Sequence, residues 1–196
     1  MTQQRMRLER ISRGGFTLVE LMTAVSILAV LMTLALGIQR YASEKSLRSR
    51  AEVEIRAMAA ACENYKTDQA VYPRNEVTDT VSSLSVNPSE YIAANLELYK
   101  MLSGDMDLNG KGDAAEGKQG STPSYLEFQN SQLRLKDGLV TRIRDPWDSE
   151  SAPEPYGYST RRASFPEDAS AGYNMTFDLW SVAKKTAKPA AWITNW

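Results

Sequence analysis

The chain has 196 residues, 42% apolar and 24% charged, with a net charge of −1. That is the composition of a folded protein with room for one domain and an accessory element. It has no histidine and one cysteine, Cys62, which excludes histidine-dependent bases, His-ligated metals, Cys-rich metal sites and intrachain disulfides.

The charge is unevenly placed. Residues 1–15 carry Arg5, Arg7, Arg10 and Arg13 against Glu9, a local charge of +3. The remaining chain has 19 basic and 23 acidic groups, a net −4. There is thus no broad basic field, and no nucleic-acid partner is expected. Between these parts lies the uncharged run Leu21 to Ile38. Eighteen residues at about 1.5 Å each give roughly 27 Å, close to a bilayer's hydrocarbon thickness. A basic start before such a run places the N-terminus in the cytoplasm and the bulk of the chain outside. Three readings fit: a signal peptide cut near Ala35-Leu36-Gly37, a plain anchor, or a third read from GGFTLVEL, Gly14 to Leu21.

Gly14 to Leu21 resembles the prepilin motif shared by type IV pilins and type II secretion pseudopilins. The resemblance implies cleavage by a prepilin peptidase between Gly15 and Phe16. It also implies N-methylation of Phe16. Glu20, five residues into the mature chain, is the only charge between Phe16 and Gln39. A charge at mid-helix in a membrane costs about 2.5–3.5 kcal/mol, less near an end. The resemblance implies a compensating role, in which Glu20 pairs with the Phe16 amine of a neighbouring subunit.

Apart from Gly37, no proline or glycine interrupts Phe16 to Ala70. One helix of about 50 residues is predicted. Leu47, Ala51, Ile55, Met58, Cys62 and Tyr65 follow steps of four and three, and so share a face. That face is expected to pack on a globular domain, with Cys62 buried. Gly37 offers a place to bend. Tyr65 to Pro73, YKTDQAVYP, resembles the end of this helix in pseudopilins, and Pro73 disfavours its continuation.

Residues 74–87 read as loop. A second helix follows, with Asn87 as N-cap, Pro88 at N1, Glu90 at N3 and Gly104 as its stop. Its expected apolar face is Ile92, Leu96, Tyr99 and Leu102. Next comes DMDLNGKGDAAE, Asp105 to Glu116, which matches the calcium-loop pattern D-x-[DN]-x-[DN]-G-x5-E. Asp105, Asp107 and Asn109 would supply side-chain oxygens. Lys111 would supply its carbonyl, Asp113 a direct or water-mediated oxygen, and Glu116 two oxygens to Ca2+. The following GKQGSTP cannot continue as a helix, so the alternative is a polar Asp/Asn/Gly turn.

From Pro123 the pattern changes to short alternating segments. Strands are expected at Tyr125–Phe128, Leu133–Leu135, Leu139–Ile143 and near Tyr173–Val182, with a hairpin turn at Lys136-Asp137-Gly138. They predict an antiparallel sheet of three or four strands on the amphipathic half of the long helix. Arg142, Arg144, Arg161 and Arg162 read as a solvated face with ordinary ion pairs.

Asp145-Pro146-Trp147, Tyr156-Gly157-Tyr158 and Phe177-Asp178-Leu179-Trp180-Ser181 resemble stretches of the major pseudopilin of type II secretion. Here Asp148 replaces the family's usual glycine, and an insertion follows. The family's own calcium loop, after the last strand, is not carried over, because VAKKTAKPAAWITNW contains no acid.

The fold expected is therefore α+β and type IV pilin-like: a long N-terminal helix, half transmembrane and half amphipathic, packed on a small C-terminal antiparallel sheet. The expected organisation is a leader at 1–15, a membrane and filament-core helix at 16–39, and its amphipathic continuation at 40–72. A variable segment at 73–122 and a sheet domain at 123–196 follow. The resemblance implies a structural subunit and not an enzyme. It would sit in the inner membrane with a single pass and a periplasmic C-terminal domain, and would assemble into a periplasmic pseudopilus. Implied partners are prepilin peptidase, further copies of the chain, minor pseudopilins and an inner-membrane assembly platform. Alternatives are a pilin or minor pilin for adhesion or DNA uptake, and a membrane-anchored periplasmic binding module.

Overall fold

The computed structural model describes residues 15–185 and 188–196. Within the long helix the side chains of residues 35–38 and 40 fall outside that description. The leader positions Arg5, Arg7, Glu9, Arg10, Arg13 and Gly14 lie outside the described residues. The chain divides into two compact units, one ending at Glu44 and the other spanning Lys45–Trp196. Helix α1, Leu18–Gln69, has 52 residues and contributes to both. The fold is α+β, a long N-terminal helix with small antiparallel sheets, consistent with the type IV pilin-like class.

In the first unit the described apolar side chains are exposed in the single chain. Phe16, Leu18, Leu21, Val25, Leu28 and Leu31 are each more than half exposed. In the second unit the expected stripe is inside. Ala51, Ile55, Met58 and Cys62 are buried, with Leu47 and Tyr65 at the margin. Burying a side chain such as Ile55 or Met58 contributes about 1.5–3 kcal/mol. Burial also pushes the Cys62 thiol up, which keeps it protonated and inert. The helix stops at Ala70, which takes a left-handed φ of 64° while its N–H donates to Lys66 O at 2.8 Å. The stop thus precedes Pro73 by three residues.

Residues 74–87 are not all loop. Helix α2, Glu76–Thr80, is capped by Asn75, whose side chain accepts from the Thr78 amide while Thr78 Oγ1 accepts from the Asn75 amide. Helix α3, Pro88–Ser103, starts at the Asn87 cap and ends at Gly104, in the left-handed conformation. Its buried face is Tyr91, Ala94, Asn95, Leu98, Tyr99 and Leu102. The expected face was rotated: Ile92 and Leu96 are only partly buried. The polar Asn95 lies on the buried face because the sheet region needs its amide. Asn95 Nδ2 donates to Tyr156 O at 2.8 Å, and Asn95 Oδ1 accepts from the Ile143 amide at 2.7 Å.

The sheet region also differs from expectation. Among the described residues there are two small sheets, not one. Strands β1, Leu133–Lys136, and β2, Leu139–Ile143, form a hairpin. Its turn, Asp137-Gly138, has φ of 53° and 81°, as a type I′ turn requires. Strands β3, Gly157–Ser159, β4, Asp178–Ser181, and β5, Ile193–Thr194, form an antiparallel sheet in the order β3-β4-β5. A short helix α4, Arg161–Ser164, follows β3. Tyr125–Phe128 is not a strand. The Tyr125 and Leu126 amides instead donate to Leu102 O at 2.7 and 3.0 Å, capping the end of α3. The Tyr125 ring packs on Tyr65 and the Phe128 ring on Tyr99.

The arginines are likewise less solvated than expected. Arg134, Arg142 and Arg144 converge on Asp148, whose side chain is wholly buried. Burial alone would raise the Asp148 carboxyl. The Arg142 and Arg134 hydrogen bonds overcome this and hold it below its ordinary value.

Candidate functional site

Two places carry chemistry. The first is the start of α1. Thr17 precedes the first helical residue, and its carbonyl accepts from the Leu21 amide at 3.1 Å. Glu20 Oε2 accepts from the Thr17 amide at 2.9 Å and from its hydroxyl at 2.7 Å. Thr17 Oγ1 in turn accepts from the Glu20 amide at 3.3 Å. This is a capping box, two orphan donors satisfied reciprocally. Thr17 was missed in the sequence reading, although the spacing Thr-x-x-Glu was available there. Gly15 and Phe16 lie just upstream, with Phe16 82% exposed and open space around Gly15. Among the described residues, no side chain packs against the 15–16 bond.

Among the described residues no helix is long and apolar enough to cross a membrane. The run from Leu21 to Ile38 enters the described side chains only as far as Leu34.

The second place is the loop from Asp105 to Glu116, directly after α3. Carboxylate oxygens of Asp105, Asp107 and Asp113 lie within 4.8 Å of one another. Asp105 is buried and forms the floor. Its Oδ2 accepts from the Tyr99 hydroxyl at 2.6 Å and the Gly110 amide at 2.8 Å, and its Oδ1 from the Asn109 amide at 3.1 Å. Leu108 and Gly110 are both in the left-handed region, at φ of 65° and 89°, which curls the chain round that floor. The Asn109 side-chain amide donates to both oxygens of Glu116, at 2.9 and 3.0 Å. Lys111 joins through its amide, which donates to Asn109 Oδ1 at 2.9 Å. A cavity of about 640 Å³ lined in part by Tyr99, Lys111, Glu116 and Phe128 adjoins the loop.

A residue outside the twelve completes the arrangement. Lys118 Nζ donates to Asp107 at 2.6 Å and to Asp113 at 2.8 Å, and lies 2.8 Å from Glu116. Hydrogen bonds to Asp107, Asp113 and Glu116 push the Lys118 ammonium above its ordinary value. The same contacts hold the Asp107 and Glu116 carboxyls below theirs. The acidic loop therefore carries an internal cation. A charged residue shortly after a carboxylate-rich loop was the only sequence signal for it.

The N-terminal residues match a known model. The family model of the prokaryotic N-terminal methylation motif matches residues 10–36. No curated protein and no solved structure matches the chain significantly. The motif is that of type IV prepilin-like proteins, and it implies prepilin peptidase processing, a membrane-anchored N-terminus and pilus-like assembly.

Proposed function

We propose that the chain is a structural subunit of a periplasmic pseudopilus serving type II secretion, most like the major pseudopilin. The observation that supports this is the methylation motif at residues 10–36, running into a helix whose described side chains from Leu18 to Leu34 are exposed in the single chain. Prepilin peptidase cuts between Gly15 and Phe16 and methylates the Phe16 amine. The precursor sits in the inner membrane with its basic end in the cytoplasm and Lys45–Trp196 in the periplasm. An assembly platform then draws the helix at 16–39 into a filament with further copies and minor pseudopilins. Glu20 exchanges its Thr17 contacts for the Phe16 amine of the neighbouring subunit. That amine is a cation, and in a dry filament core the pair offsets two desolvation costs.

The loop at Asp105–Glu116 takes Ca2+ in this reading, with Asp105, Asp107, Asn109, Asp113 and Glu116 as side-chain ligands and Lys111 as a carbonyl ligand. Its twelve-residue spacing and the gathered carboxylates support that assignment. Lys118 competes with the ion, so binding falls at the weak end of such loops, about 10⁻⁴ to 10⁻³ M. A bound ion would stiffen the approach from α3 to the hairpin.

Deleting the chain from its host tests the function. A secretion subunit leaves folded exoproteins trapped in the periplasm, and restoring the chain releases them. Unimpaired secretion with lost surface pili or DNA uptake would replace this reading with a pilin.

A further inference from the structure

Asp145 is 1% exposed, in the turn after β2, within electrostatic reach of Glu54 on α1, Tyr91 on α3 and Ser181 on β4. Its Oδ1 accepts from the Trp147 amide at 3.0 Å, but its Oδ2 has no hydrogen-bond partner. Two more buried polar atoms nearby have none, Tyr91 Oη on α3 and Glu154 Oε2. Glu154 is the backbone neighbour of Asp145, whose amide donates to Glu154 O at 3.2 Å.

The charged groups around Asp145 decide its state. On α1, Glu54 is paired with Arg50 at 2.7 Å and accepts from the Tyr156 hydroxyl at 2.6 Å. Glu154 has the Lys184 amide and ammonium beside it. From β4, the Ser181 hydroxyl faces Asp145. Thus Glu54 and Glu154 each have a cation beside them, and Asp145 has those two carboxylates as neighbours, with the Arg50 guanidinium in its field but bonded to Glu54. Burying a third negative charge there without compensation is costly, and a proton on Asp145 is the simplest compensation.

We propose that Asp145 is a proton-operated latch: protonated, it holds the turn after β2 against α3 and β4, and ionised, it loosens that junction. The added proton would turn Oδ2, the buried oxygen that has no partner, from an unpaired acceptor into a donor. Burial pushes the carboxyl up to about 7, opposed by Ser181 and the Trp147 amide. Its folded value is therefore above its unfolded one, near 3.9. The latch contributes fully below about pH 4 and is lost as pH rises to about 7, levelling off beyond.

The test is urea unfolding of the full-length chain in detergent between pH 5 and 8.5, beside Asp145→Asn. The wild-type unfolding constant should rise about tenfold per pH unit from pH 5 to 6.5 relative to the variant, then run parallel to it above pH 7.5. Parallel curves over the whole range would overturn the latch. Should the variant not fold, carboxyl carbon NMR of the wild-type chain decides. One aspartate titrating near neutral pH supports the proposal, and none titrating above about pH 5.5 overturns it.

Discussion

Thr17 and Glu20 close the first turn of α1 on each other, each side chain accepting from the other's backbone amide. The carboxylate is thus satisfied in the single chain, before any neighbour is present. In the proposed assembly it would cross an apolar environment with two donors at hand, and release them for the neighbour's amine. This separates two roles that one glutamate could play, helix cap and assembly partner.

Replacing either residue tells the roles apart. Thr17→Val removes the cap and should cost about 1 kcal/mol of local helix stability. Filament yield should fall only slightly. In the proposed filament, Glu20→Ala would leave the neighbour's amine buried without a partner, at about 3–5 kcal/mol. Its filament yield, read by pelleting and microscopy, should collapse although the precursor is still cleaved. Equal losses in the two variants would reduce Glu20 to a cap.

Calcium should raise the melting temperature of the full-length chain in detergent, and Asp105→Ala with Glu116→Ala should abolish the gain. Lys118→Met removes the internal cation. Its melting temperature in chelator should drop below wild type, because three carboxylates lose a common partner. Its calcium-induced gain should exceed that of wild type. A chain indifferent to both calcium and chelator would leave the loop as a turn closed by lysine.

The Asp148 cluster predicts acid sensitivity. Its carboxyl is held below the ordinary value in the folded chain, so the stability it contributes is present above about pH 3.9. That stability is lost as pH falls through the lower folded value. Asp148→Asn leaves three guanidiniums around a neutral amide and should cost about 3 kcal/mol at pH 7. The gap between variant and wild type, measured by urea unfolding, should narrow towards pH 3. A gap independent of pH would assign the loss to packing instead.

Gly157→Ala should be among the most damaging substitutions of the sheet. A Cβ there would meet the Trp180 ring at 1.9 Å, in the cross-strand pair of β3 and β4. Trp180 is fully buried against Tyr91 and Trp192 and has nowhere to move. A loss of about 3 kcal/mol or more is expected, at the upper end of overpacking. Near-wild-type melting would show that the ring can shift.

Helices were legible in the sequence because their signals are local. The spacing from Leu47 to Tyr65 fixed the buried face of α1, and Asn87-Pro88 with Gly104 bounded α3. The buried face of α3 was misread because Asn95 looks polar until its two distant backbone partners are known. Tyr125–Phe128 has the alternation of a strand, but the free carbonyl of Leu102 captures its amides. The two sheets could not be told from one, since Asn95, not a shared strand, joins β2 to the start of β3. At the acidic loop, the spacing located the carboxylates. Lys118 lies outside that pattern, and only folding brings it to their centre.

Every later step proposed for this chain depends on processing at the methylation motif. N-terminal sequencing with intact mass, on chain produced with and without a prepilin peptidase, tests it most directly. The mature chain should begin at N-methylated Phe16 and form only when the peptidase is present. A chain that starts near Ile38, or one left uncut beside an active peptidase, would contradict it.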